Sequence, residues 1–218
     1  IGVLWSVGNW YRAHRIASAG KPAAVAARHI DLTRATVVFS VTILMALVLS
    51  KSLYITSLNS YYTFFLIERF GLSVPAAQIY LFVLLFSVAA GTLLGGLVTD
   101  RVGRKNVIWF SILGAAPFTL LLPYANLEWT GILTVVIGLI TAAAFPALIV
   151  YAQDLLPGRV GLVAGLFFGL AFGFAGLGAA VLGKVADITD IAYVYKVCSF
   201  IPLLGLLTAF LPNIEKKK

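Results

Sequence analysis

Gly96-Leu-Val-Thr-Asp100-Arg101-Val-Gly103-Arg104-Lys105 sets four charges within six residues, between two long stretches that carry none. Gln78 to Thr99 and Asn106 to Leu127 are uncharged over 22 residues each. As a helix rising about 1.5 Å per residue, either stretch crosses a hydrocarbon core of about 30 Å. A tight charged turn between two such helices must lie in water at a membrane face. The turn therefore fixes the solvent of the chain and one point of its topology.

Composition agrees. Hydrophobic residues make up 61% of the 218 and charged residues 11%, against about 25% charge in soluble domains. One soluble core of this size does not hide so much apolar surface. The net charge of +8 does not indicate nucleic acid, because the charges collect in short segments between apolar runs, where phospholipid headgroups are the better partner. His14, His29 and Cys198 imply neither a metal cluster nor an intrachain disulfide, and no cofactor is expected. Cys198 reads as a small apolar helix residue.

The amino-terminal segment 1–11, with Trp5, Trp10 and Tyr11, reads as the interfacial end of a helix that begins upstream, not as a signal peptide. Residues 12–35 form a basic linker carrying Arg12, Arg15, Lys21, Arg28 and Arg34, broken at Pro22. Apolar segments follow at 36–67, 76–99, 107–126, 130–152, 160–183 and 190–212, and 213–218 is a basic tail. The expected fold is an all-α membrane protein with six transmembrane helices over 36–212. Placing the linker in the cytoplasm gives that side five basic residues from the linker, Arg101, Arg104, Lys105, Arg159 and Lys216 to Lys218. That is 5 + 3 + 1 + 3, or 12 of the 16 Lys and Arg, so both termini are expected to be cytoplasmic.

Small residues recur every fourth position at Gly161, Gly165, Gly169 and Gly173, and again at Ala171, Ala175, Ala179 and Gly183. Such stripes let helix backbones approach closely in lipid, either for plain packing or for smooth sliding during rocking. Pro117, Pro123, Pro146 and Pro202 are expected to bend or loosen their helices.

The turn from Gly96 to Lys105 resembles the signature of the major facilitator superfamily, which lies in the cytoplasmic loops between helices two and three and between eight and nine. Asp154-Leu-Leu-Pro157-Gly158-Arg159-Val-Gly161 resembles the acid, proline and arginine element after helix ten. The resemblance implies the end of helix six, the basic central loop and helices seven to twelve, the carboxy-terminal half of a 3+3 inverted-repeat fold. Tyr61-Tyr62-Thr-Phe-Phe-Leu-Ile-Glu68, Val107 to Gly114, Pro117 to Ala125, Val150-Tyr-Ala-Gln153 and Gly165 to Gly173 are similar to the bacterial fosmidomycin-resistance family. That similarity implies a proton-coupled antiporter of the bacterial inner membrane, exporting a small anionic phosphonate antibiotic. It also implies a missing amino-terminal six-helix half as partner and a full chain roughly twice as long.

Candidate residues fall in two groups. Gly96, Asp100, Arg101, Gly103, Arg104 and Lys105 read either as a topology anchor on anionic headgroups or as a conformational latch, whose charge-assisted bonds hold in one state only. In the latch reading Gly96 allows close packing and Gly103 a positive φ. Asp154 with Arg159 is read the same way. The second group centres on Lys51. A lysine at the centre of a spanning helix costs about 2.5–3.5 kcal/mol on insertion scales, so it should meet water, a partner or a ligand. The alternative is a helix that starts later, with Lys51 snorkelling to its end. Lys51, Tyr54, Leu58, Tyr61 and Phe65 share one helical face, with Asn59 and Tyr62 at its border. A cation among phenols and an amide suits an anionic substrate; the same tyrosines also suit packing.

The acids Asp31, Glu68, Asp100, Glu128, Asp154, Asp187, Asp190 and Glu215 all fall in loops or at helix ends. A proton-coupled carrier needs a titrating group inside the membrane, so coupling is expected in the absent half. A membrane enzyme lacks a convergent nucleophile and base here. A nontransporting receptor or scaffold, and a carrier of another small anion or metabolite, remain open.

Overall fold

The computed structural model describes residues 33–214; the Trp-rich segment, nearly all of the basic linker and the lysine tail lie outside the described residues, as does the Asp100 side chain. Lipid offers a backbone amide no partner, so each apolar run must satisfy its own hydrogen bonds, which a helix does locally. Six segments among the described residues are helical, long and apolar enough to cross a membrane: Arg34–Phe70, Val74–Thr99, Arg104–Tyr124, Leu127–Leu155, Val160–Ile188 and Ile191–Phe210. They are built from α1 (Arg34–Phe70), α2 (Val74–Val102), α3 (Arg104–Leu113), α4 (Ala116–Leu121) with a 3₁₀ turn Leu122–Tyr124, α5 (Leu127–Ala142), α6 (Ala144–Leu155), α7 (Val160–Ile188), α8 (Ile191–Cys198) and a 3₁₀ helix Ile201–Phe210. No strand occurs among the described residues.

Short polar signals set the boundaries. The Thr33 hydroxyl accepts from the Thr36 amide at 3.3 Å to start α1, and Asn126 and Asp190 cap α5 and α8 in the same way. Gly71, at φ 65°, ends α1 by donating its N–H to the Ile67 carbonyl. Gly103, at φ 96°, turns the chain in a single residue between α2 and α3. The prolines mark interruptions. Pro117 stands in the first turn of α4, Pro146 in that of α6 and Pro202 in that of the closing 3₁₀ helix, while Pro123 lies in the 3₁₀ turn after α4.

α1 runs against α7 and the closing 3₁₀ helix, with further contacts to α2, α6 and α8, and α2 lies along α5. Two cores form along α1. Leu44, Leu47, Ile108, Leu148 and Tyr151 belong to the one nearer the charged turn; Tyr62, Phe65, Leu84, Ile137 and Tyr195 belong to the other. Phe82, Phe86, Leu93, Leu97 and Phe172 are at least 65% exposed, an apolar exterior suited to lipid. Hydroxyls inside the helices bond within their own turn: Ser40, Ser87, Thr134 and Thr141 each donate to the carbonyl four residues back.

The stripe expected to pack closely does not do so among the described residues. A Cβ at Gly161, Gly165, Gly169 or Gly173 meets nothing within 4 Å, and Gly96 is equally open. Close backbone approaches fall instead on α2 and on the closing 3₁₀ helix, where a Cβ on Gly205 would lie 2.9 Å from the Leu113 nitrogen. A Cβ on Gly91 would lie 2.7 Å from Leu139 Cα, and one on Gly95 2.6 Å from Ala143 Cα, so α2 meets the fourth span backbone to backbone. On α7 the second series faces α1: Ala171 is buried, and a Cβ on Gly183 would lie 2.7 Å from the Tyr61 hydroxyl. Sequence spacing of four is common to both stripes; what differs is which neighbouring helix lies opposite.

Candidate functional site

Lys51 lies 17 residues beyond Arg34 (51 − 34) and 19 short of Phe70 (70 − 51) in one unbroken helix. That leaves about 26 Å of helix on one side and about 28 Å on the other. A helix that starts after the lysine is therefore excluded. The ammonium stands 5.0 Å over the Phe145 ring centroid, and no ion pair to Lys51 occurs among the described residues. A desolvated cation–π contact is worth about 2 kcal/mol, somewhat less than the insertion cost of the charge.

Beside the lysine is a cavity of about 10 Å³, bounded also by Ser50, Tyr54, Ser111, Ile112, Thr141 and Pro202; it is about the space of one water. Its lining follows the helix interruptions. Ser111 and Ile112 precede the break after α3, Thr141 precedes the break between α5 and α6, and Pro202 opens the closing 3₁₀ helix. The Ser50 hydroxyl donates to the Ile201 carbonyl at 2.9 Å. Tyr54 borders the same cavity while its ring packs in the second core, and its buried hydroxyl has no hydrogen-bond partner, a polar atom with unused bonding capacity.

The rest of the expected ring does not assemble around Lys51. Tyr62 is fully buried, its hydroxyl 2.7 Å from Thr134 Oγ1, so it joins α1 to α5 inside the second core. The Tyr61 hydroxyl donates to the Ala179 carbonyl at 2.5 Å and joins α1 to α7. Leu58 and Phe65, from the same face, are core residues, Phe65 stacking on Tyr195 with centroids 4.4 Å apart. Asn59 is exposed on α1, two turns from Lys51 and away from that core. A phenol in an apolar interior needs a partner for its O–H, and two of the three tyrosines find theirs on neighbouring helices.

The charged turn is a clasp. Arg104 forms an ion pair with Asp154 at the end of α6, their side chains 27% and 23% exposed. Lys105 donates to the Leu211 carbonyl, and Tyr151 donates to the Pro212 carbonyl. The third, fourth and sixth spans are thus tied together at one end. Asp154 meets Arg104 rather than the expected Arg159, which is exposed at the start of α7, where its amide donates to the Leu156 carbonyl at 3.1 Å and closes the turn through Gly158, φ 80°. Arg101 is exposed on the last turn of α2.

Sequence reasoning missed Phe145, Ser111 and Thr141 as neighbours of Lys51. Only the proline one residue beyond Phe145 signals an irregularity there, and nothing local indicates which helix faces the lysine.

Residues 22–218 match the family model of the Major Facilitator Superfamily. The chain is 58% identical over 217 residues to the Fosmidomycin resistance protein of Escherichia coli, covering 100% of this chain and 53% of that protein. It is 38% identical over 160 residues to the Uncharacterized MFS-type transporter YfnC of Bacillus subtilis, covering 73% of this chain and 39% of that protein. The chain spans about half the length of the first relative and less of the second. No solved structure gives a significant match. Six apolar spans joined through a charged turn on a positive-φ glycine, and a family match over nearly all of the sequence, lead to one conclusion: this multi-pass membrane chain belongs to the major facilitator superfamily.

Proposed function

We propose that this chain is one half of a secondary transporter that exports a small anion of the fosmidomycin type in exchange for protons, by alternating access. Lys51 is the counter-charge for the substrate, Tyr54 offers it a hydroxyl, and Asn59 stands at the border of the same path. Tyr61 and Tyr62 support that site from behind. The carrying observation is Lys51 itself: a cation near mid-helix, over an aromatic ring and bordering the same small cavity as Tyr54, whose hydroxyl has no partner, without a carboxylate beside it among the described residues. An anion entering there gains a charge partner in a low-dielectric setting.

The acids among the described residues stand near span ends, with Glu68 beside Arg69, Glu128 in the first turn of α5 and Asp190 capping α8. Proton coupling therefore belongs to the other half, the full protein working as the pair. Gly96, Asp100, Arg101, Gly103, Arg104, Lys105, Asp154 and Arg159 serve as the latch, on the cytoplasmic side with both termini. Breaking the Arg104–Asp154 pair accompanies opening toward that side.

The test uses full-length protein in inverted vesicles, following fosmidomycin-driven proton movement and drug uptake. Lys51→Met abolishes uptake while Lys51→Arg keeps part of it. Wild-type uptake by Lys51→Met overturns the site. Uptake of a different small anion with no response to fosmidomycin overturns the substrate.

A further inference from the structure

We propose that the furrow between α2, α3 and the fourth span seats one acyl chain of an anionic phospholipid whose phosphate is held by Arg101. The furrow has a volume of about 410 Å³ and an almost wholly apolar lining that includes Leu94, Val98, Phe110 and Ile140. Its origin is in the sequence. Gly91 and Gly95 lack side chains and bring α2 onto Leu139 and Ala143, so the two helices meet along a low floor between taller walls. Leu94, Val98 and Phe110 are 56%, 47% and 60% exposed along those walls. A furrow of this kind is filled by a flexible hydrocarbon chain, which conforms to an irregular slot at little cost.

Length and charge select the occupant. The α2 part of the lining runs from Gly91 to Val102, a rise of eleven steps (102 − 91), or about 16 Å of helix. That is close to one leaflet, half of a core of about 30 Å. The furrow ends at the charged turn. There Asn106 lines it, its amide N–H donating to the Val102 carbonyl at 3.1 Å. Arg104 and Lys105 are committed to Asp154 and the Leu211 carbonyl. Arg101 is exposed and stands three residues beyond Val98 and seven beyond Leu94, on the same stripe of α2. Arg101 is next in sequence to Val102 at the mouth, so a phosphate held there would leave one chain reaching inward along the floor.

Full-length protein purified in mild detergent is incubated with equal amounts of phosphatidylglycerol and phosphatidylcholine of matched chains, and retained lipid is read by native mass spectrometry. Wild type retains phosphatidylglycerol preferentially. Arg101→Gln lowers its retention about fivefold, the equivalent of about 1 kcal/mol for one cation at an anionic surface. Leu94→Trp, which fills the furrow, lowers it as well, and Val98→Phe repeats that test if the first variant elutes as aggregate. Phe172→Trp, on the exposed face of α7, changes nothing. Equal retention of both lipids by wild type overturns the charge argument. Loss in Arg101→Gln alone reduces the site to a headgroup contact and overturns the furrow. Wild type without bound lipid shows that the other half covers this face and overturns the proposal.

Discussion

Gly95→Ala isolates the contact on which the α2 packing depends. The new Cβ would stand 2.6 Å from Ala143 Cα and nearer still to Ala143 Cβ, where carbon atoms rest at about 3.5–4.0 Å. Relief requires the helices to part by about 1 Å over this crossing, because backbone atoms, unlike a side-chain tip, do not swing aside. Overpacking of this kind costs about 1–3 kcal/mol, and the helix-propensity gain of alanine over glycine returns up to about 1 kcal/mol. A net loss of about 1–2 kcal/mol is expected. Ala143→Gly removes the nearer of the two clashing carbons and on its own costs about 0.5–1 kcal/mol in backbone freedom. In the double variant the two losses are therefore less than additive, by about 1 kcal/mol; the backbone at position 143 still crowds the new methyl, so the rescue is partial. Reversible unfolding of the full-length protein in mixed micelles supplies the four free energies of the cycle. Additivity within about 0.5 kcal/mol refutes the direct clash, and a stabilised Gly95→Ala refutes the packing altogether.

Other outcomes follow from the same geometry. Tyr62→Phe removes the bond to Thr134, whose own hydroxyl still donates to the Thr130 carbonyl, so stability falls by about 1 kcal/mol while transport per folded molecule falls only slightly, as suits a group behind the site; a transport defect larger than the folding defect returns Tyr62 to the substrate path. Lys51→Met removes an insertion cost of about 2.5–3.5 kcal/mol and forfeits a cation–π contact of about 2 kcal/mol. The same variant that abolishes transport should therefore be equally or slightly more resistant to unfolding, and a marked loss of stability identifies Lys51 as a structural cation instead. Exchanging the charges as Arg104→Asp with Asp154→Arg restores transport lost in either single variant; failure of the exchange to exceed the singles shows that the pair is not the element that matters at this turn.

Lipid solvent explains which features could be read ahead of the structure. Apolar runs become helices because no other form satisfies their amides, so the spans at 36–67 and 160–183 appear as Arg34–Phe70 and Val160–Ile188, longer only at their polar ends. Gly103 was legible as a residue free to take a positive φ in the tight charged turn between two uncharged runs. Orientation of a helix about its own axis was not. In water a buried face is apolar and an exposed face polar; here both are apolar, so Tyr62 at 0% exposure and Phe64 at 56% carry the same sequence signal. The tyrosine face of α1 was thus readable as a face but not as core rather than cavity. The glycine stripes of α2 and α7 have the same spacing, and only the position of α5 distinguishes the packed stripe from the open one.

The unit is closed at both ends and interrupted in between. At the charged turn, Arg104–Asp154, Lys105 to the Leu211 carbonyl and Tyr151 to the Pro212 carbonyl bind three spans. At the other end, Tyr62 with Thr134, Tyr61 with the Ala179 carbonyl and Phe65 stacked on Tyr195 bind α1 to three more elements. Between these ties, three spans lose their regular helix, after Leu113, after Ala142 and after Cys198, and residues flanking all three breaks border the small cavity beside Lys51. Irregular backbone inside a membrane persists only where protein or a polar cavity satisfies it. Interrupted helices beside a lysine and a partnerless phenol therefore add, next to the cation that unbroken α1 supplies, backbone groups that a continuous bundle would lack at this level. Under the proposed function, the tied ends let the half move as one body, while the broken middle supplies the polar groups that an anionic guest requires.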